Sequence, residues 1–228
     1  MDAVMSARNI KKSFHVGGQD ILVLKGLDID IPEKKLTILK GRSGSGKTTL
    51  MNVLSTLEKE TEGDVWFEDH IYTKMSESDK ELMRRTKFGF VFQSVALIPI
   101  MNAYENVDFA LRLAEREENK DQRIKQVLSL VNMQERMLHM PGQMSGGEQQ
   151  RIAIARAVAH RPRIVFADEP TGALDTENGI AVMQLFRYLI EKEGVTIVMT
   201  THDPNLMEMG DLVYEMEDGE LYERREYN

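Results

Sequence analysis

Residues 41–48 read Gly41-Arg42-Ser43-Gly44-Ser45-Gly46-Lys47-Thr48, which matches the glycine-rich phosphate loop GxxxxGK[ST] at every fixed position. Glycines let the backbone curve so tightly that successive N–H groups can point at phosphate oxygens, and the positive end of a following helix adds to the attraction. Lys47 would reach the β- and γ-phosphates of a nucleoside triphosphate, and the Thr48 hydroxyl would ligate Mg²⁺. The stretch therefore predicts a binding site for a nucleoside triphosphate.

The sequence on either side of the loop fits the same site. Leu36-Thr37-Ile38-Leu39 predicts a short buried strand before it, and the run from Thr48 and Thr49 to Leu54 predicts a helix after it. A glycine- and serine-rich loop could match the pattern by chance. The order of strand, loop and helix favours the phosphate-binding interpretation.

The composition limits the classes of protein to which the chain can belong. Its 228 residues are 42% hydrophobic, enough for one substantial core, and the net charge of −8 is spread along the chain. An acidic chain of this kind is a poor partner for nucleic acid. The sequence contains no cysteine, which excludes disulfides, thiolate zinc sites and cysteine nucleophiles. We therefore expect a reducing, cytoplasmic location and no nucleic-acid partner.

The sequence shows neither a secretion signal nor a membrane span. Residues 1–5 lack the basic flank and the apolar run of a signal peptide. The most apolar stretch, residues 88–101, is interrupted by Gln93, Ser94 and Pro99 and is too short to cross a bilayer. We expect any membrane role to depend on a partner protein.

Strand and helix patterns alternate along most of the chain. Strands are predicted at residues 27–31, 36–39, 63–67, 88–92, 163–167 and 195–199, and helices at 48–54, 76–85, 102–115, 121–131, 146–159 and 176–192. Two further strands, 213–216 and 220–222, flank Asp218-Gly219, a strong hairpin signal. Strand patterns disappear between residues 102 and 159, which predicts an inserted helical subdomain. The whole pattern indicates one α/β domain with a mostly parallel sheet.

One apolar strand ends in two carboxylates. Residues 164–167 are Ile-Val-Phe-Ala and are followed by Asp168 and Glu169. Ligands of doubly wound sheets lie beyond the carboxyl ends of the strands, so both acids are expected beside the phosphate loop. Asp168 would hold Mg²⁺, and Glu169 would polarise the attacking water. A solvated acidic strand end is the alternative, which the upstream phosphate loop disfavours.

A second glycine-containing stretch, Met144-Ser145-Gly146-Gly147-Glu148, opens a predicted helix. A serine hydroxyl and bare glycine amides at a helix N-terminus predict a second anion-binding site. A plain serine N-cap followed by flexible glycines is the alternative. A single triphosphate need not use both anion sites of one chain.

Together these motifs resemble those of the ATP-binding-cassette (ABC) ATPases, whose signature is similar to LSGGQ. Four further positions match that family in order along the chain: Phe14, Gln93, Asp175 and His202. At the position of Phe14, the family has an aromatic ring that stacks on adenine. A histidine or phenylalanine taken alone is more often structural, but order and spacing favour function here. Phenylalanine stacks adequately and lacks the hydroxyl of the more usual tyrosine.

The resemblance implies a fold and an assembly. The fold is a single domain (1–228) with a P-loop NTPase core (1–93 and 160–228), a mostly parallel sheet, an N-terminal antiparallel β subdomain and an inserted helical signature subdomain (94–159). Two such domains are expected to pair head to tail around two ATP molecules, as a homodimer or as a heterodimer with a related cassette. The pair would drive an integral-membrane permease from the inner face of the cell membrane.

The resemblance also implies roles for individual residues and predicts an active ATPase. ATP contacts are expected from Phe14, Gly41, Arg42, Ser43, Gly44, Ser45, Gly46, Lys47, Thr48, Thr49, Gln93, Ser145, Gly146, Gly147, Glu148 and Asp175. The expected Mg²⁺ ligands are Thr48, Gln93 and Asp168, and the expected catalytic residues are Glu169, His202, Lys47 and Gln93.

Within the family, residues 89–94 and 169–175 resemble the group that serves lipoprotein release, macrolide efflux and antimicrobial-peptide resistance. This favours the motor subunit of an exporter or of a mechanotransmission complex. A cell-division cassette that regulates a cell-wall hydrolase through its permease uses nearly the same domain and stays an alternative. Soluble cassettes that act on DNA or ribosomes usually carry long inserts, zinc modules or a second cassette, which this sequence lacks.

Two features are left open by the sequence. Lys40 replaces an apolar or small residue just before the phosphate loop, and its charge lies either near the phosphates or at the surface. The segment Val95–Met101 is apolar, and Pro99 prevents it from continuing as a regular strand. It is either core or a docking surface, and the family resemblance implies that it receives a coupling helix of the permease.

Overall fold

The computed structural model of the protein describes residues 3–116 and 118–226. Residues 1–5 lack the pattern of a signal peptide, and the first two of them, Met1 and Asp2, lie outside the described ranges. The described chain forms two compact units, one up to Glu81 and from Thr196 onward, the other from Leu82 to Val195. The predicted helical segment 94–159 lies within the second unit, and its status as an insert in a single domain stays a prediction.

The strands are β1 (Ala3–Val16), β2 (Gln19–Pro32), β3 (Leu36–Lys40), β4 (Glu62–Phe67), β5 (His70–Ile71), β6 (Phe88–Val91), β7 (Ile164–Ala167), β8 (Thr196–Thr201), β9 (Leu212–Glu217) and β10 (Glu220–Glu226). The α-helices are α1 (Lys47–Leu54), α2 (Glu77–Thr86), α3 (Ala103–Leu113), α4 (Lys120–Leu130), α5 (Gly146–Val158) and α6 (Thr176–Glu193). Short 3₁₀ helices cover Tyr72–Lys74, Gln134–Arg136, Pro141–Gln143 and Pro204–Met209. The predicted elements are confirmed to within one or two residues, except that the strands predicted at 27–31 and 220–222 are parts of longer strands.

An antiparallel sheet in the first unit has the strand order β2-β1-β4-β5. β1 and β2 form a long hairpin that pairs Phe14 with Ile21 close to its turn. Alternation along β2 buries Leu27, Ile29 and Ile31 on one face of the strand. The predicted N-terminal antiparallel sheet is therefore confirmed, and it carries Phe14 near one end.

The first unit also contains the strand that leads into the phosphate loop. β3 pairs in parallel with β8 on one side and with β9 on the other. Its residues Leu36, Ile38 and Leu39 are fully buried, as expected of a central parallel strand that is covered on both faces. β9 and β10 form the predicted hairpin, and its turn residues Asp218 and Gly219 have φ angles of 46° and 80°, as a type I′ turn requires.

In the second unit, β6 and β7 pair in parallel, with Val91 opposite Ala167. α3 packs against α4 and α5, and α5 packs against β6. Apolar stripes on these helices supply the core, which includes Val107, Leu111, Ile124, Leu128, Ile152 and Ile154. α3 begins with a capping box in which Asn102 Oδ1 accepts a hydrogen bond from Glu105 N (2.9 Å) and Asn102 N donates to Glu105 Oε2 (2.8 Å).

The helix α6 is 18 residues long and carries charged residues along its length. Within residues 3–116 and 118–226, no helix combines the length and the apolarity needed to cross a bilayer.

Candidate functional site

The phosphate loop connects β3 to α1 in the first unit. Lys47 begins α1 and is only 6% exposed. Its Nζ donates hydrogen bonds to the carbonyl oxygens of Gly41 (2.8 Å) and Arg42 (2.9 Å), while Arg42 and Ser43 are exposed. The ammonium group is therefore held inside the curve of the loop, where it would meet a phosphate bound by the loop amides.

Glycine is required in this loop for conformation and for space. Gly44 and Gly46 have φ angles of 79° and 102°, which residues with side chains rarely adopt. A Cβ atom at Gly46 would lie 2.9 Å from Met216 Cε, and one at Gly41 would collide with the Met216 carbonyl oxygen. The loop thus passes so close to β9 that side chains at these positions would displace it.

The start of α1 offers hydrogen-bond donors without competition from a capping side chain. Gly46 is its N-cap and makes no side-chain cap bond, and the first turn contains no acidic residue. Ser45 Oγ is buried and has no hydrogen-bond partner among the described residues. Thr48 and Thr49 add two hydroxyl groups to the first turn. Amides, hydroxyls and an ammonium group at a helix N-terminus form a site that suits a chain of phosphates.

His202 lies at the same edge of the first unit's parallel strands as the phosphate loop. Lys40, the last residue of β3, pairs in register with Thr201, the last residue of β8. Gly41 and His202 therefore follow neighbouring strand ends, and His202 is exposed. The parallel register places His202 and the phosphate loop at neighbouring strand ends, and the role of this histidine at the nucleotide stays a prediction.

Phe14 lies in β1, on the antiparallel sheet of the first unit. The residue is half-buried, so part of its ring is available for stacking on a base. Lys12 Nζ lies 4.6 Å from the centroid of the ring.

Lys40 is paired with a neighbouring strand. Its Nζ lies 3.0 Å from Glu215 Oε1, and Glu215 is the residue opposite Lys40 in the register of β3 and β9. Both side chains are partly exposed. The choice that the sequence left open is therefore settled in favour of a surface ion pair.

We expect Lys40→Met to leave the affinity for ATP within about twofold of the unchanged protein, because a partly exposed ion pair contributes only about 0–1 kcal/mol. Isothermal titration calorimetry measures the affinity, and Lys47→Met, the same chemical change inside the loop, is the matched control. A loss of about tenfold or more in Lys40→Met would contradict this assignment.

The carboxyl ends of β6 and β7 lie side by side in the second unit. The Asp168 N–H donates a hydrogen bond to the Val91 carbonyl oxygen (2.9 Å), one residue beyond the pairing of Val91 with Ala167. Gln93 lies two residues after Val91, the last residue of β6, and Glu169 lies two residues after Ala167, the last residue of β7. Parallel pairing thus explains why a glutamine and two acids that are distant in sequence share one edge.

The side chains of Gln93 and Glu169 both lie against Gly172. A Cβ atom at Gly172 would lie 3.0 Å from Gln93 Nε2 and 3.4 Å from Glu169 Oε2. The Gly172 N–H donates a hydrogen bond to the Glu169 carbonyl oxygen (3.0 Å), which closes a tight turn. An amide N–H that donates and a carboxylate oxygen that accepts, both beside Gly172, can hold a water molecule.

The backbone of Glu169 is strained. Its φ angle is 43°, in the left-handed region that non-glycine residues rarely adopt, at a cost of about 1–3 kcal/mol. Such strain is concentrated at functional sites, where it fixes the direction of a side chain. No residue pattern in the sequence predicts this conformation.

Ser145 and Glu148 form a capping box at the start of α5. Ser145 Oγ accepts a hydrogen bond from Glu148 N (3.3 Å), and Ser145 N donates to Glu148 Oε2 (2.8 Å). The bond from Ser145 N–H holds the pKa of Glu148 below its usual value. The serine N-cap that was the alternative interpretation is therefore present. It is compatible with anion binding, because the serine hydroxyl retains a proton to donate.

Gly146 lies against the loop that ends at Asp175, and Gly147 lies against the first turn of α6. A Cβ atom at Gly147 would lie 2.8 Å from Asn178 Oδ1, and one at Gly146 would lie 3.8 Å from Leu174 Cδ2. Asp175 is the N-cap of α6 and accepts hydrogen bonds from Asn178 N (2.8 Å) and Nδ2 (2.9 Å), which lower the pKa of its carboxyl group. The second unit thus brings the signature and this loop together, and it gives Asp175 a structural role.

The oxygen donors at these positions suit Mg²⁺. Asp168 and Gln93 follow adjacent strand ends in the second unit, and Thr48 follows Lys47 in the first. Carboxylate, amide and hydroxyl oxygens are the hard ligands that Mg²⁺ prefers, with waters completing the coordination.

Sequence patterns also do not predict the contacts that shape the loop after Gln93. Val95 and Ala96 have φ angles of 61° and 49°, and a β-branched residue rarely occupies this region. Arg156 of α5 donates a hydrogen bond to the Ala96 carbonyl oxygen (2.6 Å) across a separation of 60 residues. No local pattern predicts such a contact.

A family model described as ABC transporter matches residues 24–172. The chain belongs to the ABC transporter family. The uncharacterized ABC transporter ATP-binding protein MJ0796 of Methanocaldococcus jannaschii is 40% identical to this ABC domain, over 98% of the chain and 97% of its own length. The lipoprotein-releasing system ATP-binding protein LolD 2 of Rhodopirellula baltica is 38% identical, over 96% of the chain and 89% of its own length. The macrolide export ATP-binding/permease protein MacB of Wolinella succinogenes is 38% identical over 98% of the chain, which spans 35% of that protein.

A solved relative has the same fold. The dimeric structure of a post-hydrolysis state of the ATP-binding cassette MJ0796 bound to ADP and Pi has a TM-score of 0.89 to this ABC domain, at 36% identity, and covers 98% of this chain and 99% of that one. The predicted P-loop NTPase fold and the predicted relation to the MacB and LolD cassettes are confirmed.

Proposed function

We propose that this ABC ATPase domain binds ATP with Mg²⁺, hydrolyses ATP, and dimerises around two ATP molecules to drive a separate membrane permease of an export or mechanotransmission complex. The observation that carries the proposal is the convergence of Gln93 and Glu169 beside Gly172. The dimeric MJ0796 cassette, bound to ADP and Pi, supports hydrolysis and dimerisation. The names of the LolD and MacB relatives support a role in export.

The first unit would bind the nucleotide. Loop amides and Lys47 would contact the phosphates, Thr48 would place its hydroxyl on Mg²⁺, and Phe14 would stack on adenine. Mg²⁺ would neutralise charge on the β- and γ-phosphate oxygens. Phosphoryl transfer needs mainly positioning and charge stabilisation, and the fixed ammonium group of Lys47 would contribute to both.

The second unit would activate the attacking water. Glu169 would orient the water and polarise it, since its carboxylate lies beside Gly172, as does the Gln93 amide. Asp168 would hold Mg²⁺ from the neighbouring position. His202 of the first unit, which follows β8, would complete the contacts at the γ-phosphate.

The start of α5 would serve the nucleotide of a second cassette. Its amides and the Ser145 hydroxyl form an anion site that a nucleotide bound to the same chain need not use. If two chains pair head to tail, each site consists of one phosphate loop and one signature, so hydrolysis requires closure. ATP binding then favours the closed dimer, and hydrolysis releases it.

Two experiments test the two parts of the proposal separately. Phosphate release by the purified protein in the presence of ATP and Mg²⁺ tests hydrolysis, and its persistence without divalent cations would argue against the Mg²⁺ site. Affinity purification of the tagged chain from membranes tests the partnership, with an integral-membrane permease as the expected companion. If no permease co-purifies with the tagged chain, the proposed role in transport is wrong, and the proposed ATPase activity is unaffected.

The segment Val95–Met101 is the proposed permease contact. Ile100 is 82% exposed, whereas Leu97 and Ile98 are half-buried. Asn106 of α3 fixes the backbone of the segment, since its side chain accepts a hydrogen bond from Ile98 N (2.9 Å) and donates to the Met101 carbonyl oxygen (2.9 Å). A fixed, exposed apolar side chain is typical of a docking surface.

We expect Ile100→Asp to reduce co-purification of the permease and transport by about tenfold or more, because a carboxylate would be buried at the contact. Leu97→Asp and Ile98→Asp are expected to act in the same direction with an added loss of stability. ATP binding by the isolated subunit should stay unchanged. Leu82→Asp, at a residue of α2 that is 48% exposed, is the matched control. Normal co-purification and transport by Ile100→Asp would refute the docking assignment.

A further inference from the structure

Lys12 is a buried lysine beside the proposed adenine platform. It lies two residues before Phe14 in β1, so the two side chains share one face of the strand. Lys12 is only 9% exposed, which is rare for lysine unless its charge is compensated. The burial of the Lys12 ammonium group therefore requires an explanation, either in the stability of the fold or in ligand binding.

The ammonium group of Lys12 is fixed by two hydrogen bonds. Its Nζ lies 2.6 Å from Glu58 Oε1 and 2.7 Å from the Lys59 carbonyl oxygen. The same Nζ lies over the Phe14 ring, 4.6 Å from the centroid. This distance is within the range of a cation–π interaction, which is strengthened when the cation is shielded from water.

An aromatic ring has two faces, and here one of them is occupied by the ammonium group. Phe14 is half-buried, and its ring has no hydroxyl with which to fix its orientation. The Lys12 cation supplies that fixation from one face of the ring, so a base would have to stack on the opposite face. An ordered ring loses less conformational entropy when it stacks on a ligand.

We propose that Lys12 is a positioning residue that holds the Phe14 ring for stacking on the adenine base, with Glu58 fixing Lys12. The inference rests on the proposed nucleotide-binding function and deepens it. The same ion pair also ties β1 to the chain that follows α1, so a purely structural role is the competing explanation. The two explanations predict different effects of changing Lys12. Only a positioning role would weaken binding of the base while leaving binding of the phosphates unchanged.

The test compares ADP with inorganic pyrophosphate, which has the diphosphate and lacks the base. ADP avoids turnover and closure of the dimer. We expect Lys12→Met to weaken ADP binding about fivefold and to leave pyrophosphate binding unchanged, as measured by calorimetric titration. Phe14→Leu should weaken ADP binding more strongly. Adding Lys12→Met to Phe14→Leu should then cause no further loss, because the ring on which Lys12 acts is gone.

Equal weakening of ADP and pyrophosphate by Lys12→Met, or an undiminished effect in the Phe14→Leu background, would overturn the positioning role. If Phe14→Leu weakens ADP binding while Lys12→Met does not, the inference fails and the proposed base stacking stands. If Phe14→Leu has no effect, both fail. Should Lys12→Met not fold, as judged by circular dichroism, Glu58→Gln replaces it. Glu58→Gln is expected to give a smaller loss that is likewise specific for ADP, and equal losses for both ligands would again overturn the role.

Discussion

Glu169→Gln is expected to lower the rate of ATP hydrolysis by about 100-fold or more, the usual effect of removing a group that takes a proton from the attacking nucleophile. The amide keeps the size of the side chain and leaves untouched the backbone hydrogen bond from Gly172 N–H to the Glu169 carbonyl oxygen. ATP binding should therefore stay intact. In the proposed function hydrolysis opens the closed pair, so the variant should accumulate as an ATP-bound dimer.

Phosphate release and size-exclusion chromatography in the presence of ATP measure the two effects. Glu177→Gln makes the same chemical change at an exposed position in the first turn of α6, and it should behave like the unchanged protein. If Glu169→Gln binds nucleotide and elutes only as a monomer, the closure model is wrong. If it hydrolyses ATP at the normal rate, Glu169 is not the residue that activates the water.

Lys47→Ala and Ser145→Arg are expected to stop hydrolysis for different reasons. Lys47→Ala removes the ammonium group that bonds to Gly41 and Arg42 inside the loop, so nucleotide binding by the variant chain should weaken by about tenfold or more. Ser145→Arg places a bulky side chain at the start of α5 and should block closure of the one site to which that α5 contributes, while ADP binding by the monomer stays normal.

Ser145 also caps α5, so Ser145→Arg removes a cap as well as adding bulk. Ser145→Ala is the matched control, because it removes the cap at a cost of about 1 kcal/mol in stability without adding bulk. The thermal unfolding temperature of Ser145→Ala should fall as much as that of Ser145→Arg. Its rate of ATP hydrolysis should fall far less than that of Ser145→Arg. Equal loss of hydrolysis in both variants would attribute the effect to the serine hydroxyl and not to a steric block.

Local patterns predicted the elements of this fold because local chemistry fixes them. The apolar run of β3, the glycine loop and α1 follow from residue types that are close in sequence, and the turn at Asp218 and Gly219 follows from the φ angles that those residues tolerate. The pairing of β6 with β7 then explains how Gln93 and Glu169 meet. The positions of these residues could be expected from the motifs, and their roles stay predictions.

Contacts between distant residues could not be predicted in this way. Lys12 and Glu58 are 46 residues apart, and the pairing of Lys40 with Glu215 depends on which strand lies beside β3. The positive φ angle of Glu169 was missed for a different reason. Non-glycine residues adopt such angles only when the surrounding structure imposes them, so residue type carries no signal.

The central claim is that two chains share each ATP site, and mixing Lys47→Ala with Ser145→Arg tests it most directly. Neither variant should hydrolyse ATP alone. Each mixed dimer would contain one site with both lesions and one site with neither, so phosphate release should reappear on mixing. Differently tagged chains allow the formation of mixed dimers to be confirmed by sequential affinity capture. If mixed dimers form and hydrolysis does not return, the sites are not shared between chains.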